Sequence, residues 1–193
     1  KIYYNNTIEA VCATRKISIN YKGDYFMDGL RIIPVTNEEL ILSVSAMAEE
    51  IWHEHYDKIV GNKQVDYMLE KFLSPDALRS QIEEEGYEYF LISYEYTFAG
   101  FAGICEKNNE LFLSKLYIHE DFRRKHISSE MIRKFIELCR MRKLNKIWLT
   151  VNKQNFRSVD VYKHFGFEII REECTDIGGG YAMDDYIMEL VID

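Results

Sequence analysis

The chain has few prolines, two in 193 residues, and few cysteines, four. It contains no apolar run near the roughly 20 residues that a membrane-crossing helix requires. No basic-then-apolar layout of a secretory signal opens it. Cys12, Cys105, Cys139 and Cys174 are scattered, without CxxC spacing or a nearby partner that would complete a zinc set, so no metal is expected. Three of the four sit in apolar stretches and read as small buried core residues. A basic excess is also missing: 32 acidic residues against 24 Lys and Arg leave a net charge of −8. Such a field argues against nucleic-acid binding and favours cationic partners. No GxSxG occurs, and no cysteine has a histidine near it in sequence, which argues against nucleophilic catalysis. The compartment expected is cytoplasmic, with no membrane association.

What is present suits one packed domain. Hydrophobic residues make up 47% of the chain and aromatics 14%, and the length allows one sizeable core. Residues 1–26 lack a strong helical period and read as an N-terminal extension. They are either a leader preceding a natural start at Met27 or an accessory β segment, since Arg15 to Tyr21 alternates like a strand. Residues 27–193 form the main domain. There, Leu30 to Val35 reads as a strand, and Thr36 with Glu39 as a capping box. Leu40, Ile41, Val44, Met47, Ala48, Ile51 and Trp52 then follow at helical spacing. Val65 to Leu73 repeats that spacing, and Ser74-Pro75 opens a third helix that ends near Gly86. Tyr87–Glu95, Phe98–Glu106 and Glu110–Ile118 read as an antiparallel meander. A helix over Ser128–Met141, a strand over Lys146–Val151 and a helix over Asn155–Phe165 come next. Phe167–Glu173 and Asp184–Ile192 close the chain as strands. The strand–helix–strand order makes Glu110–Ile118 and Lys146–Val151 parallel neighbours. The fold class is α/β, with a mixed, mostly antiparallel central sheet flanked by helices.

The informative segment runs from Leu116 to Ser129. A strand ending Leu116-Tyr117-Ile118 enters the basic loop Arg123-Arg124-Lys125-His126, and Ile127-Ser128-Ser129 opens a helix. Unpaired amides and the positive dipole end converge at such a helix start, which suits a diphosphate. A solvated loop with Ser128 or Ser129 as an ordinary N-cap is the plainer alternative.

This segment resembles motif A of the GNAT acetyltransferases, in which an Arg or Gln, two variable residues, Gly, one residue and Gly or Ala bind the coenzyme A pyrophosphate. Arg123 takes the first place, while His126 and Ser128 stand where small residues are usual. A side chain forced to positive φ there costs roughly 1–2 kcal/mol, and histidine is among the less penalised types. Downstream, Trp148 to Asn152, Asn155, Ser158, Tyr162 and Gly166-Phe167 resemble the second half of the family core. The resemblance implies an N-acetyltransferase with a GNAT fold that moves the acetyl group of acetyl-coenzyme A to a primary amine by direct attack. Asn155 would touch the pantetheine arm and Tyr162 would protonate the leaving thiolate. Trp52, Tyr56 and Tyr67 would wall the acceptor site. The general base is left to Glu106 or Glu120, with His53 and His55 as further candidates. The segment Ile177 to Met188 resembles enzymes that include polyamine acetyltransferases, which with the charge suggests a polyamine acceptor. Rival readings are a protein N-terminal or lysine acetyltransferase and a non-catalytic coenzyme A sensor. A homodimer through the closing strands or residues 1–26 is a further expectation.

Overall fold

The computed structural model describes residues 29–193 and, before them, the backbone of three strands. These are β1 (Ile8–Cys12), β2 (Arg15–Ile19) and β3 (Tyr25–Met27), which pair antiparallel in sequence and lead to β4 (Leu30–Pro34). The strand expected over Arg15–Tyr21 is β2 over its first five residues. The rest of the expectation for residues 1–26 falls outside the described residues.

Three helices follow. α1 (Glu38–Tyr56) is capped by Asn37, whose side chain accepts the Leu40 N–H at 3.0 Å. The expected Thr36–Glu39 box gives way to this cap because Asn37 sits three residues before Leu40, the spacing an N-cap carbonyl needs. α2 (Asn62–Leu73) is followed by α3 (Pro75–Glu84), where Ser74 accepts the Ala77 N–H at 3.3 Å and proline fills the first helical position. β5 (Tyr87–Tyr94), β6 (Thr97–Lys107) and β7 (Glu110–Ile118) form the meander. The turns fall on Glu95-Tyr96 and Asn108-Asn109, all four at positive φ, the conformation that two-residue hairpins demand. A 3-10 turn (Glu120–Phe122) precedes α4 (Ile127–Arg142), β8 (Lys146–Asn152) and α5 (Phe156–His164). β9 (Glu168–Gly178) and β10 (Tyr181–Val191) close the chain.

The strands form one sheet in the order β1-β2-β3-β4-β5-β6-β7-β8-β10-β9, seven of them from Leu30 onward. Every pairing is antiparallel except β7 with β8, which α4 joins by the expected crossover. One face packs under α4 and α5 through Leu111, Leu113, Met131, Phe135, Leu149 and Val159. The other packs under α1–α3 through Val44, Ala48, Trp52, Val65, Leu91 and Phe101.

Two features of this sheet build the site. First, β7 and β8 pair only at Glu110–Lys146, Leu111–Ile147 and Phe112–Trp148 and then part. The parting begins where β7 carries an extra residue, Ser114, opposite the Gly103–Ile104 step of β6, since a bulge bends and twists the strand that holds it. Second, β9 and β10 run longer than expected, because the hairpin docks on α2. Tyr67 Oη donates to the Ile177 carbonyl at 2.7 Å, Lys71 Nζ to the same carbonyl at 2.5 Å, and Gln64 Nε2 to the Ala182 carbonyl at 3.0 Å. The turn that allows this is Gly178-Gly179-Gly180, all at positive φ. A Cβ on Gly178 would lie 2.7 Å from the Tyr67 hydroxyl.

Candidate active site

Two cavities open where β7 and β8 part. The first, about 270 Å³, lies between the end of β7, the start of α4 and α5. The second, about 490 Å³, lies on the α1–α3 side of the sheet. They share Leu116, Tyr117, Asn155, Ser158 and Tyr162, so they meet at the fork of the strands.

The first cavity is made largely of backbone. His126 holds a left-handed conformation, φ 60° and ψ 13°, at the place where the motif has glycine, and Arg124 is at φ 61°. His126 is the N-cap of α4, but no side chain caps the helix. The first-turn amides of Ile127, Ser128 and Ser129 therefore lack intrahelical acceptors and stand at the cavity. Helix α4 thus starts at Ile127, not at Ser128, and neither serine is its N-cap. An uncapped helix start flanked by Arg124 and Arg157 fits a diphosphate, so the residues present suit coenzyme A. Arg123 also lines this cavity, but its guanidinium makes a two-point ion pair with Glu54 of α1, one contact at 3.1 Å. Lys125 turns aside and lies over the rings of Tyr94 and Phe122, 4.8 and 5.2 Å from their centroids. His55 lines the same cavity, its pKa lowered by burial and then by Arg123.

The fork is aromatic. Asn155 is 8% exposed and caps α5 by accepting the Ser158 N–H at 3.2 Å. The Tyr56 hydroxyl lies beside the side chains of Tyr117 and Asn155. Trp52 meets Tyr56 and Tyr117 edge-on, with centroids 5.6 and 5.5 Å apart. Burial raises the phenol pKa of Tyr162 well above its ordinary value, and Tyr56 adds to the effect. Burial also raises that of Tyr117 well above the ordinary value and raises that of Tyr56. All three phenols are therefore protonated donors at neutral pH.

The second cavity contains two ionisable groups with shifted pKa values that the sequence did not single out. Asp185 of β10 is 6% exposed, and its pKa is raised to about 6 by burial first and then by Asp184 and Glu173. Lys115 of β7 lies one residue after the bulge, and burial lowers its pKa to about 8. Arg157 and Glu54 were missed as well. The one available signal was period: β10 alternates, so Met183 and Asp185 share a face.

The expected site residues divide as follows. Leu116, Tyr117, Ile118, Arg123, Arg124, His126, Ile127, Ser128, Ser129, Asn155 and Tyr162 line the first cavity, and Trp52 and Tyr56 line the second. Tyr67 lines neither; it is a latch to the β9–β10 hairpin. Glu106 and Glu120 also reach neither cavity. Glu106 sits at the far end of β6, 3.4 Å from Arg142, and Glu120 is exposed on the 3-10 turn. His53 is tied to Asp57 and Asp66 at 3.0 and 3.3 Å. A strand-end carboxylate cannot serve a fork that opens at the other end of its neighbour, which is why the base expected at Glu106 is not brought to the site.

Comparison with known proteins agrees with this geometry. A match to the family described as Acetyltransferase (GNAT) domain spans residues 46–181. The fold resembles that of the PaiA N-acetyltransferase from Thermoplasma acidophilum, solved in complex with coenzyme A, with TM-score 0.68 and 20% identity over 83% of this chain and 97% of that one. It also resembles the ribosomal-protein-S18-alanine N-acetyltransferase from Escherichia coli, TM-score 0.64 and 17% identity over 84% and 94% of the two chains. A mutant spermidine N-acetyltransferase from Vibrio cholerae gives 0.60 and 14% over 84% and 94%. A family match over residues 46–181, on a sheet that forks beside an uncapped helix start, shows that the chain belongs to the GNAT family of acetyl-coenzyme A-dependent N-acetyltransferases.

Proposed function

We propose that the chain acetylates the primary amine of a small molecule held in the α1–α3 cavity, with Asp185 as general base and Tyr162 as hydrogen-bond donor to the leaving sulfur. The observation that carries this reading is the fork itself: both cavities meet at Tyr162, and Asp185 lines the acceptor side only.

When bound, acetyl-coenzyme A supplies an activated acetyl thioester. The chain's own residues do the rest. Helix α4's first amides, with Arg124 and Arg157, hold the diphosphate, and Asn155 orients the pantetheine arm. An alkylammonium of pKa about 10.4 must lose a proton, at a cost of about 4–5 kcal/mol at pH 7. The apolar walls lower that cost by disfavouring the charged amine, and Asp185, ionised above about pH 6, accepts the proton. Amides of β7 beyond Phe112 that face the gap have no β8 partner and can polarise a carbonyl there. Tyr162 keeps its proton too firmly to give it up outright, so its hydroxyl stabilises the developing thiolate as a donor.

A polyamine acceptor is supported by the net charge of −8 and by a fold neighbour named for spermidine acetylation. The unpaired thiols Cys105, Cys139 and Cys174 support a reducing, cytoplasmic setting. Thiol release from acetyl-coenzyme A across a panel of polyamines, amino acids and short peptides tests the activity. Release with at least one small amine, reduced in Asp185→Asn, is expected. Retained coenzyme A binding with no turnover on any amine would favour a non-catalytic sensor.

A further inference from the structure

Two lysines line the second cavity, Lys71 and Lys115. Lys71 is engaged in the hairpin latch, its ammonium 2.5 Å from the Ile177 carbonyl. Lys115 of β7 has a different setting. Its Nζ meets the Ser114 hydroxyl at 2.7 Å, and burial alone lowers its pKa to about 8. Among the described residues no carboxylate contributes to that shift. At pH 7 about a tenth of Lys115 is therefore the neutral amine, against well under a thousandth of an ordinary lysine. The hydroxyl partner suits either form, because it can accept an N–H from the ammonium or from the amine. A carboxylate partner would instead hold the proton on. The mechanism above makes no use of this nucleophile.

Its place in the fold matters as much as its charge. Lys115 follows the bulge and stands beyond Phe112, the last residue of β7 that pairs with β8. It therefore lies on the stretch of β7 that borders the gap. Tyr117, two residues on, shares its face of the strand and lines both cavities. That is an advance of roughly 7 Å, within the sweep of a lysine's flexible four-carbon stem. Leu116, between them, also lines both cavities. Lys115 is part-exposed, and it lines the second cavity. A primary amine of the chain itself thus stands in the acceptor cavity, beside the fork that the thioester must reach.

We propose that Lys115 is a self-acetylation site: with the acceptor absent, its Nζ takes the acetyl group of bound acetyl-coenzyme A. The Nζ lone pair forms the amide C–N bond as the thioester C–S bond breaks. Of the two protons that the ammonium gives up, one is released to water and the other ends on the coenzyme A sulfur. The neutral acetyl-lysine then fills part of the acceptor cavity. This rests on the acetyl-transfer reading above for the place of the thioester.

The test incubates the wild-type chain with acetyl-coenzyme A and no amine, and follows intact mass and peptide maps over time. Lys63 and Lys143, both exposed, are the internal references. Lys115 should be acetylated about tenfold or more faster than either reference, well inside the gap in neutral fraction. Excess free coenzyme A should slow labelling of Lys115 by a similar factor and leave the references unchanged. Lys115→Arg, which keeps the charge, should lose the fast mass increment. Labelling of Lys115 no faster than of Lys63 and Lys143 would overturn the inference, as would labelling indifferent to coenzyme A. Should the enzyme acetylate an added amine while Lys115 stays unmodified, self-acetylation falls and acetyl transfer stands. Fast labelling of Lys115 without turnover on any amine does the reverse: it upholds self-acetylation and removes the small-amine acceptor.

Discussion

The two cavities that meet at the strand fork are built by opposite means. The first cavity, the proposed coenzyme side, uses consecutive residues: the end of β7, a tight loop and the first turn of α4 supply amides and charge from one short segment. The second, the proposed acceptor side, draws on several elements distant along the chain, among them Trp52 and Tyr56 from α1, Lys115 from β7 and Asp185 from β10. The first is tolerant of sequence, because every residue but proline has an N–H to offer. His126 shows that tolerance, filling a left-handed position usually given to glycine. The second is intolerant, because each buried side chain carries its own charge and shape.

That contrast sets the order of expected effects. Asp185→Asn should give the largest, lowering kcat/KM by about 10²–10³-fold, in the range for a positioned base. In the native enzyme, activity should rise with pH through about 6, and that limb should vanish in the variant. Stability moves the other way. The folded carboxyl has its pKa raised from 3.8 to about 6, so folding favours the protonated form. The stabilisation it provides is full below about pH 3.8 and lost as pH rises through about 6. Asp185→Asn should therefore stabilise the fold at pH 7 by on the order of 1–3 kcal/mol, read as a raised Tm in thermal unfolding across pH. A variant that lost activity and stability together would mean that Asp185 is a structural residue.

Tyr162→Phe comes next, with kcat expected to fall about 10–100-fold as a single buried donor is lost. Coenzyme A affinity by calorimetry should stay within about threefold, since backbone supplies that cavity's grip. A matching loss of affinity would erase the division between the two sides.

Substitutions on the coenzyme side should be milder. Glu54→Gln releases Arg123 from its ion pair and should tighten coenzyme A at low salt by about threefold, an effect screened at high salt. Weakened binding would mean that Glu54 positions Arg123 instead of competing for it. The smallest effect belongs to Glu106→Gln. Its carboxylate is half-exposed and shares Arg142 with Glu88, so turnover should change less than twofold and stability by less than about 1 kcal/mol. A large loss of turnover would return the base to β6.

Much of this was legible in the chain. Helical spacing marked α1, α2 and α4; Ser74-Pro75 marked the start of α3; and strand–helix–strand order implied the parallel pairing of β7 with β8. These depend on neighbours within a few residues. The cap of α1 went to Asn37 because two adjacent candidates, Thr36 and Asn37, differ only in reach. The length of β9 and β10 was hidden because docking of their hairpin on Tyr67, Gln64 and Lys71 rewards strand geometry that local sequence leaves open.

By itself, then, the sequence determined the elements, their order and the basic loop before α4, since helix starts, turns and backbone amides are encoded by residues adjacent along the chain. Only the tertiary structure decided that β7 and β8 part after Phe112, that Arg123 pairs with Glu54, and that Lys115, Trp52 and Asp185 share one cavity. Those facts join positions up to 133 residues apart, Trp52 and Asp185. The shifted pKa values of Lys115 and Asp185 come from burial, which no stretch of sequence states until the sheet and helices have packed.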